Sequence, residues 1–557
     1  MRRSSIMPAT LATLAMLGTL ACAAAPLAAQ EPPVFTRADT LRGTHGPERS
    51  WWDVTFYDLH VRVSPADSTI AGWNAISYRV VEPAAELQID LQEPLVVDSV
   101  LQDGKRLSGR REGNALFVAL RAPQPMGGVK TVTIHYHGTP RAAVNPPWDG
   151  GFIWRRDPAG APWVATANQG LGASVWWPLK DWGGEEPDSQ RVAITVPEPM
   201  VNVSNGRLRG VRPNGDGTTT WEWFAGSPIN NYGIAVNAGD YAHWTEFYQG
   251  EAGVLTLDFW PLAVNEAVAR EHWQQTRPML ACFEDWFGPY PWYEDGFKLI
   301  ETPHLGMEHQ SAVAYGNEYR NGYRGRDLSG TGRGLTWDFI IIHEAAHEWF
   351  ANNISMRDAA DMWIHESFAN YAENLYVECQ TGSAAAGAEY VIGTRASIRN
   401  DRPVQGIHGV NYEGSGDMYY KGGNLLHAIR QIIDDDARWR GILRGLNADL
   451  GRTTVSGADV EAYISSRAGT DLSKVFDQYL RTTDVPVLEW RREAGTLRHR
   501  WTNAVEGFDM PVRVRTTPDA PYEWIRPTTS WQTSRLPTSG GDLEVDPNFY
   551  VGARRAG

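Results

Sequence analysis

The sequence predicts a multidomain protein: an N-terminal antiparallel β-sandwich or saddle, a mainly α-helical middle domain and a small C-terminal β domain. Three observations predict it. Apolar residues alternate with period two from about residue 50 to 245, the period becomes helical near residue 262, and the alternation returns after about Val485. The resulting division is 1–29 for a leader, 30–245 for the β domain, 246–485 for the helical domain and 486–557 for the last module.

The leader reads as a secretory signal peptide. Arg2 and Arg3 precede an apolar stretch from about Leu11 to Ala25, and Ala28 and Ala29 stand before Gln30. That stretch falls short of the ~20 residues a spanning helix needs. Cys22 raises a lipoprotein alternative, but Thr19 stands where a lipobox wants an aliphatic residue. The mature chain is therefore expected to be exported, periplasmic or secreted, with no integral membrane segment. A net charge of −15 argues against nucleic acid or an anionic membrane as partner. Only Cys282 and Cys379 follow the leader. One bridge between them is possible in an oxidising compartment, but each falls in an apolar helical pattern and reads as a small buried hydrophobe.

Within the β domain, Tyr57, Leu59, Val61 and Val63 alternate with polar residues, as do Leu87, Ile89 and Leu91, and then Val132, Ile134 and Tyr136. Turn signals such as Asp103-Gly104 and Asn214-Gly215 divide the strands. Helical spacing follows around 263–287, 335–352, 361–380, 421–434 and 456–480. In the last module Leu488 alternates with Trp490, and Leu497 with Trp501. The 24 tryptophans read as packing residues, since many lie inside strands or beside the polar clusters.

The helical region holds His343-Glu344-Ala-Ala-His347. Four-residue spacing puts both imidazoles on one helix face, where two neutral rings can grip a zinc ion. Glu344 then leans beside the metal, where a base must stand to take a proton from attacking water. The segment Asp361-Met-Trp-Ile-His-Glu366 opens a second helix, with Phe368, Ala372, Leu375 and Cys379 as its buried stripe. Packed against the first, it can present Glu366 as a third ligand, leaving one position open as catalytic sites do. Asp358 and Asp361 flank this helix; Asp361 reads as its cap, with orientation of a ligand histidine as the other reading.

Together these residues resemble the gluzincin zinc aminopeptidases, the family of aminopeptidase N and leukotriene hydrolase. The likeness extends beyond the ligands. His304-Leu-Gly306-Met307-Glu308-His309 lies where that family has its Gly-x-Met-Glu-Asn exopeptidase motif, with Leu305 replacing the first glycine and His309 the asparagine. Tyr419-Tyr420-Lys421-Gly422 is similar to the family's Tyr-Glu-Lys-Gly segment, and Thr166-Ala-Asn-Gln169 to its Thr-Gln-x-Glu/Gln segment. The resemblance implies a thermolysin-like zinc catalytic domain with one Zn2+ per chain, bound by His343, His347 and Glu366. It implies Glu344 as general base and Tyr419 as oxyanion donor, although the residues alone leave Tyr419 and Tyr420 equal. It implies Glu308, Gln169, Met307 and Gly306 as substrate-binding residues, and peptides with a free N-terminus as substrates.

Chemistry supports the same division of labour. An aminopeptidase needs a fixed negative charge to hold the α-ammonium of its substrate, and Glu308 supplies one. His304 and His309 read as loop histidines, because no carboxylate pair accompanies them to form a second metal site. The rival readings are a thermolysin-like endopeptidase with the same zinc core, a hydrolase acting on a lipid epoxide, and a non-catalytic zinc-binding scaffold.

Overall fold

The computed structural model describes residues 33–493, 495–535 and 542–557. The signal-peptide reading and Cys22 lie outside the described residues. The first element among the described residues is a short helix, α1 (Arg37–Gly43), started by a capping box of Thr36 and Asp39. Just behind it Arg49 is fully buried and paired with Asp90. Its guanidinium also donates to the carbonyls of Arg42 and Thr44 at 2.9 and 3.0 Å, which fastens the N-terminal segment to the β half. Breaking such a buried pair from one side typically costs about 3–5 kcal/mol.

Trp52–Ser64 is the long central strand of an eight-stranded sheet. It pairs antiparallel with Thr69–Val80 and parallel with Ser189–Pro197. Tyr57, Leu59, Val61 and Val63 are at most 2% exposed. They share one core with Leu87, Ile89, Val132, Ile134 and Tyr136, so the period-two pattern is the inner face of this sheet. A smaller four-stranded sheet includes Gly151–Arg156 and Pro162–Ala167. The second of these strands runs directly into Gln169.

A five-stranded sheet opens the next unit, with Trp244–Gly250, Gly253–Trp260, Phe297–Glu301 and Val313–Tyr315. At its edge the two-residue strand Gly306–Met307 pairs antiparallel with Val313–Tyr315, which fixes the backbone leading into Glu308. Four helices then frame the centre of the molecule: α2 (Thr276–Phe287), α3 (Phe339–Ala346), α4 (Trp363–Thr381) and α5 (Tyr420–Ile433). Gly422 and Gly423 let α5 lie close against α4. A methyl at Gly422 would fall 1.9 Å from Ser367 Oγ, and one at Gly423 2.2 Å from Asn370 Oδ1.

The helix expected over 335–352 is shorter. It ends at Ala346 and opens into an irregular turn in which Phe350 and Ala351 leave helical geometry, Ala351 at φ +151°. The reason is local: the widened turn returns the Phe350 carbonyl to His347 Nδ1 at 2.9 Å. His347 itself keeps helical angles, φ −65° and ψ −16°, so the shared face with His343 survives.

The two cysteines correct the expectation of buried, separate thiols. They form a disulfide with Cα atoms 5.9 Å apart, joining α2 to the end of α4 across 97 residues. Cys282 is buried, but Cys379 lies at the exposed end of its helix. Closing a loop of this size contributes about 2–4 kcal/mol. The Cys282→Ser/Cys379→Ser protein is expected to melt several degrees lower while binding the same amount of zinc. An unchanged midpoint would mean that packing of α2 on α4 suffices by itself.

The last module has a four-stranded and a three-stranded sheet. Leu488, Trp490, Leu497 and Trp501 belong to the same core as the helical unit, so this module is packed onto it. Trp349 and Trp363 are fully buried, in keeping with packing as their use. Among the described residues no helix is long and apolar enough to cross a membrane.

Candidate metal centre and substrate cleft

Asp338 caps α3 by accepting from the amides of Ile340 and Ile341 at 2.9 and 3.3 Å. One helical turn further on, His343 stacks on Phe339, ring centroids 5.1 Å apart. Its Nδ1 lies 2.9 Å from Glu373 Oε1. Glu373 is held in turn by Asn370 Nδ2 at 3.1 Å and Tyr390 Oη at 2.8 Å. With Nδ1 of His343 on a carboxylate and Nδ1 of His347 on a carbonyl, both Nε2 atoms are turned the same way. Each lies 3.5 Å from Glu366 Oε2.

These three groups fit a zinc ion. The donor set is two imidazole nitrogens and one carboxylate oxygen, with a fourth direction left open. Glu366 Oε2 is buried and has no hydrogen-bond partner, a costly state for an anionic oxygen unless a cation meets it. Burial would raise the Glu366 carboxyl, but the His347 and His343 rings hold it well below the usual range. Burial would lower His347, yet Glu366 and Glu308 lift it to about 9. A pocket that favours positive charge this strongly on its imidazoles favours a dication in the same place.

On the open side, Glu308, Glu344 and His347 present ligand atoms within 4.8 Å of one another. Burial pushes Glu344 up to about 7, against the opposing His343 and with the added Glu308 charge. Gly306 closes over it: a methyl there would lie 2.5 Å from Glu344 Oε1. The Glu308 carboxylate accepts from Gln169 Nε2 at 2.7 Å and from Tyr232 Oη at 2.9 Å, both on Oε1. Its backbone carbonyl accepts from Asn352 Nδ2 at 2.9 Å, and Asn352 is itself held by Asn230 at 2.8 Å. Gln169 Nε2 also reaches Glu366 Oε1 at 3.1 Å, so one amide spans from the metal ligand to the carboxylate beside it. Met307 packs its side chain with Ile153, Ala165 and Ala167, tying this edge strand to the strand that precedes Gln169.

The two tyrosines at the start of α5 part ways. The Tyr419 ring lies 5.9 Å from that of His343, and after burial its strongest influences are Glu366 and Glu308. Tyr420 feels Glu373, Tyr323 and Arg326 instead. Tyr419 therefore faces the metal-ligand cluster and Tyr420 the back of it.

Residues 272–479 match the sequence profile of the Peptidase family M1 domain. Across 366 residues the chain is 23% identical to the probable aminopeptidase 1 of Sulfurisphaera tokodaii, covering 61% of this chain and 42% of that protein. Across 162 residues it is 28% identical to aminopeptidase N of Lactococcus lactis, covering 27% of this chain and 19% of that one. The chain thus spans less than half the length of these relatives. The solved M1 zinc metallopeptidase of Deinococcus radiodurans aligns with a TM-score of 0.67 at 22% identity, covering 80% of this chain and 96% of that one. A mutant of it bound to a Tyr-Ser-Ala substrate aligns at 0.65 and 22%, covering 79% and 96%. About four fifths of the chain thus aligns with the fold of these M1 metallopeptidases.

Two parts of this centre escape the sequence reading. Glu373 orients His343, whereas Asp361 neither orients a ligand nor caps α4: it accepts from Gln405, His408 and the Gly457 amide. Asp358 caps the short turn before α4 through the Ala360 amide at 2.9 Å. Glu373 stands seven residues after Glu366, two helical turns along one face, and that spacing is the signal that could have found it. Tyr232 carries no such signal; its turn, Asn230–Gly233, reaches Glu308 only through the tertiary fold. His304 and His309 lie in the loop segments on either side of Gly306–Met307, as expected, but are buried, with ring centroids 6.5 Å apart and all four ring nitrogens lacking a hydrogen-bond partner among the described residues.

Proposed function

We propose that the protein is a zinc-dependent aminopeptidase with one Zn2+ per chain, which hydrolyses the first peptide bond of peptides with a free N-terminus. The observation that carries this reading is Glu308. Gln169 and Tyr232 both donate to its Oε1, so Oε2 remains for a substrate ammonium beside Glu344 and His347. An endopeptidase has no use for a buried anion at this place.

His343, His347 and Glu366 would hold the zinc, which when bound supplies Lewis-acid polarisation of the scissile carbonyl and of water. Glu344 takes the proton of the attacking water and returns it to the departing amine. Tyr419 donates its hydroxyl to the oxygen that gains charge as the carbonyl is attacked. Tyr419→Phe is accordingly expected to lower kcat by about 10²–10³, with Tyr420→Phe changing it only a few-fold. Equal losses in both variants would remove the distinction between the two rings.

Export is part of the same proposal. The charged and apolar pattern of residues 1–29 and the Cys282–Cys379 disulfide both suit a protein that works in an oxidising compartment.

Amino-acid anilides, and one peptide prepared with a free and with an N-acetylated terminus, test the reading with and without a chelator. Free termini are expected to be processed and blocked ones spared, with activity lost on chelation and restored by zinc. Cleavage of the blocked peptide at an unchanged rate would make the protein an endopeptidase.

A further inference from the structure

A cavity of about 430 Å³ opens next to Gln169 and Tyr232. Both residues donate to Glu308, so this space adjoins the place where Glu308 would hold the α-ammonium. Its walls include Met362 and His365 from the start of α4, Tyr412 and Glu413 from the loop before α5, and Arg42 and Gly43 from α1. That loop is braced by the N-terminal segment. Arg42 Nη2 and Asn411 Nδ2 both donate to the Gly170 carbonyl, at 2.7 and 3.2 Å. Phe35 meets the Tyr412 ring edge-on at 5.5 Å, and a methyl at Gly43 would lie 2.5 Å or less from the backbone of Val410 and Asn411.

The charges lining the cavity are mostly spoken for. Asp149 accepts from the amides of Val144 and Asn145 at 2.6 and 2.8 Å. Asp181 accepts from the amide and hydroxyl of Ser174, and Asp358 from the amides of Ala360 and Gly409. Arg42 is used on Gly170, and Arg357 donates to the Thr454 carbonyl at 2.9 Å. Glu413 differs: among the described residues its carboxylate has neither a hydrogen bond nor an ion-pair partner within 4.0 Å, though its surface is open to the cavity. It shares the cavity with Gln169, whose amide reaches both Glu308 and Glu366, so it stands on the side of the reacting centre. Among the described residues none of the lining cations Arg42, Arg357 and Arg402 has an ion pair; Arg402 lies along the Tyr412 ring at 5.9 Å, its charge felt by Glu413 but beyond ion-pairing distance.

We propose that Glu413 selects a cationic side chain at the substrate N-terminus, making the enzyme prefer peptides that begin with arginine or lysine. An unpaired carboxylate in a braced cavity wall recognises an ammonium or guanidinium group. A neutral side chain would leave Glu413 desolvated without return, which is discrimination by an unmet charge.

The proposal rests on the aminopeptidase reading, and the experiment separates the two. Arginine, lysine, leucine and glutamate anilides are compared by kcat/KM on the zinc-loaded wild type, Glu413→Gln and Arg402→Gln, with melting curves to establish folding. Arginine and lysine are expected to exceed leucine by about tenfold or more in the wild type. The arginine-to-leucine ratio should fall by about the same factor in Glu413→Gln and hold or rise in Arg402→Gln. A wild type that favours leucine, or a ratio unmoved by Glu413→Gln, overturns the proposal. A glutamate preference that vanishes in Arg402→Gln also overturns it, and gives the pocket to Arg402. If no anilide is cleaved, the aminopeptidase reading fails by itself. Calorimetry of free L-arginine against L-leucine then decides on Glu413: tighter arginine binding that is lost in Glu413→Gln supports the charge readout, and equal binding ends it.

Discussion

Glu344→Gln is expected to retain its zinc and to lose at least about 10³-fold in kcat, within the range that a positioned general base contributes. The substitution changes one oxygen for an amide nitrogen and leaves volume unchanged, so Gly306, which closes over the group, need not move. The metal ligands are untouched, because His343 is oriented from behind by Glu373 and His347 by the Phe350 carbonyl. The carboxylate of Glu344 takes part in no hydrogen bond among the described residues, and burial brings its proton affinity up to about 7. A base without a standing partner and poised near neutrality is free to take a proton from water and release it again; a carboxamide can do neither. Metal analysis paired with steady-state kinetics reads both halves of the expectation. Substantial turnover in a variant with full zinc would assign proton transfer to another group, and loss of zinc would show that Glu344 helps to hold the ion.

Residues adjacent in sequence carried most of what could be read beforehand. His343 and His347 are joined by one helical turn, so their spacing is a statement about geometry, and Tyr57, Leu59, Val61 and Val63 state the inner face of a sheet in the same way. Glu366 was legible because one loop and one helix start separate it from His347. Legibility declines where position depends on distant packing. Gln169 and Tyr232 arrive at Glu308 from two separate segments of the β half, 139 and 76 residues away, and no local pattern specifies that meeting. The turn after Ala346 is a different case. Helical periodicity continues through Trp349 and Phe350, but the bond from the Phe350 carbonyl to His347 Nδ1 outweighs the helical preference there. Cys282 and Cys379 each sit in a helix pattern that suggests burial. Only the crossing of α2 and α4 brings them to bonding distance.

Glu308→Gln carries the second large expectation: a loss of about 2–5 kcal/mol in transition-state stabilisation for substrates with a free amine, which is roughly 30-fold to several-thousand-fold in kcat/KM. The loss should be selective. N-acetylated peptides never offered an ammonium to Glu308, so their slow cleavage should stay slow, and the ratio of free to blocked substrate should fall toward one. Geometry makes the effect interpretable. Gln169 and Tyr232 meet Glu308 on one oxygen, and Asn352 and Asn230 fix its backbone from the other side, so the carboxylate is placed before any peptide arrives. A glutamine can keep the acceptor for these donors and lacks only the charge. Gln169→Ala is the complementary case: it removes a brace and leaves the anion. It should therefore raise KM more than it lowers kcat, and retain preference for a free terminus. A free-to-blocked ratio that survives in Glu308→Gln would move ammonium recognition to another anion; Glu413, unpaired in the adjoining wall, would be the first to examine.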